Sequence, residues 1–356
     1  MKKLIFGFVL TSVMVVLPQL NNIAKADLSG GADVSLGFVT GKQDSAKFEE
    51  YRQFPQGLID LNAGLDLDTN GFYLNLDGNN LVRDDLKLSL ETGKYGVGSL
   101  SFSYSQIPHR FAYGAKTYYN GFGKNTLTLI APRPNWDDLK PTDTVTIAKR
   151  IQAYFDANAI SQDIALSRKK TQLNLDFNAL NLLNLRMESL YEKRDGSRPY
   201  FGPHGFGTTV EIAEPVDYGT TGIRLVAEYA KKSVNVNVNY SISQFTNSNE
   251  SLTWDNIFRS VDTTNPGAYS ASIATGSTRG RVALYPDNSY QNLTFTGTLM
   301  NLPMKSKMSA NVSLGWMAQN DNFIPYSINS AMRPGGGKAL EVATNSQTWS
   351  YTLNPG

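Results

Sequence analysis

The chain has 356 residues, 33 Lys and Arg against 31 Asp and Glu, two histidines and no cysteine. So balanced a charge gives no basic footprint for nucleic acid. The missing cysteine excludes a disulfide framework, a thiolate nucleophile and haem attachment through Cys-x-x-Cys-His.

At the N-terminus, Lys2 and Lys3 precede an apolar run from Leu4 to Leu17, and Ala24-Lys25-Ala26 forms a small-x-small cleavage site. Residues 1–26 therefore read as a secretory signal peptide, and the mature chain begins at Asp27. The run is shorter than the ~20 residues a spanning helix needs, and no later apolar stretch reaches that length. Lys2, Lys3 and Lys25 leave with the leader, so 30 bases meet 31 acids in the mature chain.

A two-residue period then recurs. Ile59, Leu61, Ala63, Leu65 and Leu67 alternate with Asp60, Asn62, Gly64, Asp66 and Asp68. Phe72, Leu74 and Leu76 alternate with Tyr73, Asn75 and Asp77, and Leu100, Phe102 and Tyr104 with serines. Leu173, Leu175 and Phe177 alternate with Asn174, Asp176 and Asn178. The longest case is Val234, Val236, Val238, Tyr240 and Ile242 against Asn235, Asn237, Asn239, Ser241 and Ser243. Two more follow, over 292–299 and 308–316. Successive strand side chains point to opposite sides, so each segment has one apolar and one wet surface. Mean hydropathy of −0.30 with 41% hydrophobic residues fits, because only alternate strand residues need be apolar.

Short turns are expected near Thr69–Gly71, Thr92–Tyr95, Asn181–Leu183, Lys231-Lys232 and Asn301–Lys305, and a tight link near Asn80–Asp85. Longer polar links fall near 40–56, 106–163, 195–218, 245–289 and 318–345. Short turns on one rim and long loops on the other are the habit of outer-membrane barrels. The expected fold is all-β: a transmembrane antiparallel up-and-down β-barrel spanning residues 27–356, with about 12 strands in this chain. One loop carries a helical pattern. After Pro141, Thr142 or Asp143 caps a helix whose Ile147, Ala148, Ile151, Tyr154 and Phe155 share a face. It either packs on the outer rim or folds into the mouth as a plug.

Aromatics gather near the expected strand ends: Tyr104, Phe111, Tyr113, Tyr118, Tyr119, Tyr191, Tyr229, Tyr240, Phe245, Trp316, Phe323 and Tyr326. They read as interfacial belts, although strand propensity alone also enriches Tyr and Phe.

Chemistry-bearing groups are sparse. His109 and His204 both stand beside proline in expected loops, with no serine in a nucleophile motif and no carboxylate cluster at metal-ligand spacing. Gly335-Gly336-Gly337-Lys338 lacks the strand and helix of a phosphate loop and reads as a loop tip. Asp84-Asp85 reads as turn chemistry. No catalytic, cofactor or metal site is expected, and no enzyme activity. The wet face offers Asp60, Asp66, Asp68, Asp77, Lys87, Glu91, Asp176, Arg186, Glu188, Arg224 and Glu228 among many amides, with Asn235, Asn237 and Asn239 on the longest strand. An ion-selective pore would ring one sign at a constriction. A mixed, amide-rich lumen suits either water or the polar surface of a protein partner.

Several passages together resemble the MtrB/PioB family of outer-membrane barrels. Glu211-Ile-Ala-Glu-Pro-Val-Asp-Tyr218 carries Glu214, Pro215, Asp217 and Tyr218, and Ser251-Leu-Thr-Trp-Asp-Asn-Ile-Phe258 carries Trp254. Ala283-Leu-Tyr-Pro-Asp-Asn288 carries Asp287 and Asn288, and Met317-Ala-Gln-Asn-Asp-Asn-Phe-Ile-Pro-Tyr326 carries Asn320 and Asp321. Tyr104–His109, Gly121–Leu129 and Arg194–Pro199 are similar more weakly. The resemblance implies a porin sheath in the bacterial outer membrane that holds a periplasmic multihaem c-type cytochrome in its lumen. It also implies docking of an outer-surface multihaem cytochrome for extracellular electron transfer, with haem present only through the partner. A diffusive or substrate-selective porin is the alternative. Two departures stand out. The Cys-x-x-Cys pair of some relatives is absent, and the family's barrels have about 26 strands, twice what is expected here. With Leu353-Asn-Pro-Gly356 reading as a turn, the chain is expected to be an N-terminal portion of a wider barrel, a divergent narrow barrel being the other reading.

Overall fold

The computed structural model describes residues 26–38, 45–52, 58–179, 182–203, 209–262, 277–322, 324, 328–332 and 343–355. In chain order the strands begin with β1 (Asp27–Gly37), β2 (Leu58–Thr69), β3 (Phe72–Asn79), β4 (Lys87–Lys94), β5 (Gly98–Thr117), β6 (Tyr119–Asn120), β7 (Thr126–Leu129) and β8 (Ile160–Ala179). They continue with β9 (Leu183–Pro203), β10 (Thr209–Lys231), β11 (Val234–Asn247), β12 (Ser251–Asp255), β13 (Arg279–Ala283), β14 (Asn288–Leu302), β15 (Ser306–Asn322) and β16 (Ala343–Pro355). A helix, α1 (Thr144–Asn158), precedes β8. The signal segment and the Gly335–Lys338 tip lie outside the described residues.

Twelve strands form one antiparallel sheet in the order β1-β2-β3-β4-β5-β8-β9-β10-β11-β14-β15-β16. Among the described residues this is an up-and-down meander that departs from chain order in two excursions, β6–β7 and β12–β13. Among the described residues β1 pairs only with β2, and β16 only with β15, so the sheet has two free edges.

Register carries each wet row into the next. Val234, Val236 and Val238 stand opposite Leu299, Gly297 and Phe295, while Asn235, Asn237 and Asn239 stand opposite Thr298, Thr296 and Thr294. Leu225 meets Tyr240 and Met187, and Phe177 meets Leu185. A one-residue slip would turn every row over, so burial of one face in lipid fixes the pairing. The apolar face is left bare: Phe177 is 50% exposed, Leu225 46% and Leu314 47%. On β9 its belt runs Leu183, Leu185, Met187, Ser189, Tyr191 and stops at Lys193. Nine residues at about 3.3 Å each span roughly 30 Å, the thickness of a hydrocarbon core.

Tight turns join β2–β3, β4–β5, β8–β9, β10–β11 and β14–β15 on one rim. At the first, Asn70 and Gly71 both have positive φ (50° and 80°), as a two-residue type I′ hairpin requires. The β4–β5 turn lies at residues 95–97, just after the expected Thr92–Tyr95, because β4 continues to Lys94.

At the other rim the strands outrun the belt. Residues 106–117 and 195–218, expected to be loop, are mostly strand. β5 continues to Thr117, β9 to Pro203, and β10 starts at Thr209. His109 accordingly sits in a strand. Prolines hid this extension, and the pairing explains why they are tolerated. Pro108 follows the point where β4 leaves β5, Pro199 and Pro203 the point where β8 leaves β9, and Pro215 the point where β11 leaves β10. Each proline thus has a ladder partner on one side only and wastes no shared hydrogen bond.

The excursions build a small cap against these extensions. Its sheet runs β13-β12-β7-β6, with β12 parallel to β7. Tyr119, Leu127, Ile212, Leu252 and Trp254 form one core, and Trp136, Tyr154, Ile257 and Phe258 a second on which Ile147 and Ile151 of α1 pack. Tyr118 and Tyr119 therefore belong to the cap core instead of an interfacial belt. Asp143 does occupy the N-cap of α1, but without a side-chain cap bond; its carboxylate accepts from the Lys140 N–H at 2.8 Å.

Candidate functional site

The sheet brings all eleven expected wet-face residues to one surface. Asp60 lies opposite Ser35, Asp66 opposite Ser29 and Asn75, and Asp77 opposite Ser89. Asp176 pairs in register with Arg186, Glu188 with Arg224, and Glu228 with Asn184 and Asn237. Asn235, Asn237 and Asn239 complete the same parity. In the middle of the wall two pairs of these charges are spent on each other. Arg186 Nε lies 3.0 Å from Asp176, and Arg224 Nη1 3.3 Å from Glu188. Arg224 Nε also donates to Asn239 at 3.0 Å, and Asn184 to Asp176 at 2.8 Å. Farther along, amides and hydroxyls bond across strands, as with Asn292 to Ser313 at 3.0 Å.

The motif residues assemble at the rim beyond the belt. Glu214 is 1% exposed and accepts from Arg198 through both carboxylate oxygens, at 3.0 and 2.8 Å, and from the Tyr218 hydroxyl at 3.2 Å. Burial opposes the Arg198 charge, yet its bonds to Glu214 and Tyr285 hold its pKa above the ordinary value. The guanidinium also lies over the Tyr285 ring, 5.6 Å from its centroid. One step nearer the belt Lys193 pairs with Asp217, whose carbonyl accepts the Ser248 N–H at 3.0 Å. Asp287 accepts the Asn247 N–H at 2.7 Å, and Asn288 donates to the Pro286 carbonyl at 3.3 Å. Three separate sequence passages are thereby tied where β10, β11 and β14 leave the belt.

Trp254 serves the cap. It is 1% exposed, and a Cβ on Gly202 or Gly280 would come within 2.9 or 2.3 Å of its ring. Asn320 and Asp321 lie at the end of β15, in register with Asn345 and Thr344 of β16.

Asp255 was not singled out from the sequence, although it follows Trp254. Its carboxylate accepts the Leu129 N–H at 3.1 Å and faces Arg279 at 3.3 Å and Arg133 at 3.7 Å, joining β7, β12 and β13. His109 stacks on Tyr51 (4.6 Å between centroids) with Nε2 3.5 Å from Glu50, and His204 lies outside the described residues. Among the described residues no group of three or more His, Cys, Asp or Glu could hold a metal ion.

Residues 41–354 match the family described as outer membrane beta-barrel porin, MtrB/PioB. The chain belongs to the MtrB/PioB family. Outer membrane protein MtrB of Shewanella baltica (strain OS185) is 26% identical over 255 residues, covering 71% of this chain and 33% of that protein. The chain thus spans about a third of the length of the curated relative it matches. Among solved structures, OmpT of Vibrio cholerae in its trimer form aligns over 91% of this chain and 77% of its own, at 7% identity and a TM-score of 0.30. A second in-vitro folded OmpT structure from the same organism aligns over 92% and 76%, at 8% identity and a TM-score of 0.29. At such scores the likeness carries no argument. Family membership places this MtrB/PioB chain in the outer membrane as a porin-like protein, its apolar face toward lipid and its polar face toward the lumen.

Proposed function

We propose that this chain forms part of a porin-like sheath that holds a multihaem c-type cytochrome across the outer membrane. In this reading residues 27–356 supply wall and rim, a periplasmic cytochrome occupies the lumen, and an outer-surface cytochrome docks at the long-connection rim. Haem, and with it the electron hopping, belongs to the partners; the wall contributes position and insulation and is no enzyme. The observation that carries the reading is the lumen face of β8 to β15. Most of its charges pair within the wall, and amides and hydroxyls make up much of the rest. Such a surface needs few counter-ions to lie against protein, since buried polar groups cost little once hydrogen-bonded. The free edges at β1 and β16 support a wider wall than these strands make alone, because backbone groups facing hydrocarbon must be paired.

The test is purification from detergent-solubilised membranes, followed by haem staining and planar-bilayer conductance. The sheath predicts a haem-staining partner in stoichiometric amount and little conductance until it is removed. A haem-free barrel that passes small solutes would establish the diffusive-porin alternative.

A further inference from the structure

The lumen face changes character around the wall. On β1 to β4 it presents Asp27, Asp33, Asp60, Asp66, Asp68, Asp77 and Glu91, with Lys87 as the base on that face. Arg83, from the β3–β4 link, lies 3.6 Å from Asp60, and the phenols of Tyr95 and Tyr73 donate to Asp68 and Glu91 at 2.9 and 3.1 Å. Among the described residues no ion pair engages Asp33, Asp66 or Asp77. On β8 to β10 most charges pair with one another: Asp176 with Arg186, Glu188 with Arg224, and Glu192 with Arg168 and Arg194. On β11, β14 and β15 the lumen positions from Asn235 to Ser243, Asn292 to Thr298 and Ser309 to Ser313 carry no ionisable group. The wall thus runs from acidic, through self-neutralised, to uncharged.

This ordering has an electrostatic consequence. Asp66 and Asp77 are diagonal neighbours across the β2–β3 ladder, where Gly64 stands opposite Asp77, so their like charges repel. In a water-filled lumen, salt screens that repulsion within about 8 Å. A protein filling the lumen removes the water, and unpaired carboxylates then become expensive unless the occupant brings cations. The uncharged sector makes the opposite demand, since a charge pressed against it would find no counter-charge.

We infer that the β1–β4 sector is the contact for a lysine- and arginine-rich side of the enclosed protein, and that the β11–β15 sector takes an uncharged side. The two together set the rotational position of the occupant in the wall. This rests on the sheath reading.

Zero-length carbodiimide coupling of the assembled complex, mapped by mass spectrometry, tests it. The expected result is links from Asp33, Asp66 or Asp77 to lysines of the haem-containing partner. In a second arm, Asp33→Asn/Asp66→Asn/Asp77→Asn should release the partner at a salt concentration at least about twofold lower than wild type. A retained partner with no links to these carboxylates overturns the inference and leaves the sheath standing. If wild type brings down no haem-containing partner, the sheath itself fails. Should the triple variant not assemble, the wild-type coupling map decides.

Discussion

Glu214 shows how a buried charge is made tolerable at the rim. Its carboxylate is almost wholly inaccessible, yet two guanidinium donors and a phenol satisfy it. Breaking such a pair by removing one partner costs more than the pair contributes, because the other charge is left stranded. Glu214→Gln should therefore lower stability by on the order of 2–3 kcal/mol, at the low end because Arg198 keeps a third of its side-chain surface in water. A thermal-unfolding midpoint indistinguishable from wild type in detergent would refute the assignment. Gly280 is constrained by space: an added methyl would meet the Trp254 ring at 2.3 Å. Overpacking of this kind typically costs 1–3 kcal/mol, so Gly280→Ala should shift Trp fluorescence and expose the cap to protease. Unchanged cleavage would mean that the ring moves aside freely.

At the scale of elements, the cap is the part of the chain most like a soluble domain, and its tyrosines make it sensitive to alkali. Burial pushes the Tyr118 phenol up to about 12 from 10.0, and Tyr119, whose hydroxyl donates to the Asp255 carbonyl at 2.7 Å, is raised as well. A group whose folded pKa is raised lends its stability below the unfolded pKa and loses it as pH rises toward the folded one. The cap should thus weaken between pH 10 and about 12, while the membrane strands, held by a continuous ladder, persist. Hydrogen exchange restricted to 118–129 and 251–259 would show this, and simultaneous loss of β8 to β10 would contradict it. The sequence disclosed the membrane strands because lipid on one side and a polar lumen on the other impose a strict two-residue period. It did not disclose the extensions of β5, β9 and β10, since above the belt both faces can be wet and the period lapses where Pro108, Pro199 and Pro215 appear. The cap strands were hidden for another reason. Two to five residues long, they become one sheet only where β7 pairs with β12 from a distant part of the chain, and only the alternation of buried Leu252 and Trp254 with Ser251 and Thr253 hints at them. The wet-face residues were legible because parity alone assigns them. The Arg198–Glu214–Tyr285 cluster was not, because its members are neighbours only after β9, β10 and the approach to β14 converge.

For the whole molecule the question is how the wall closes. β1 carries Leu28, Val34 and Leu36 on the lipid parity, 63, 67 and 72% exposed, so it belongs to the membrane wall and is no aqueous arm. Its outer backbone groups then face either hydrocarbon, at several kcal/mol for each unpaired group, or another strand. An even number of alternating strands leaves β1 and β16 antiparallel, so they could pair with each other or each with further strands. The two outcomes differ in lumen width, which grows roughly linearly with strand number. Because the chain has no cysteine, two introduced thiols report on this without background. Spin labels at Ser35→Cys on β1 and Ser346→Cys on β16 would sit within reach of one inter-strand spacing, about 5 Å between backbones, if the strands pair directly. The sheath requires several strand widths between them, because a protein-filled lumen needs a wider ring. Short distances in the native membrane complex would reduce the wall to a narrow pore and remove the room in which a cytochrome could stand. Long distances, with β1 amides as protected from exchange as those of β9, would mean that both edges are paired to other strands.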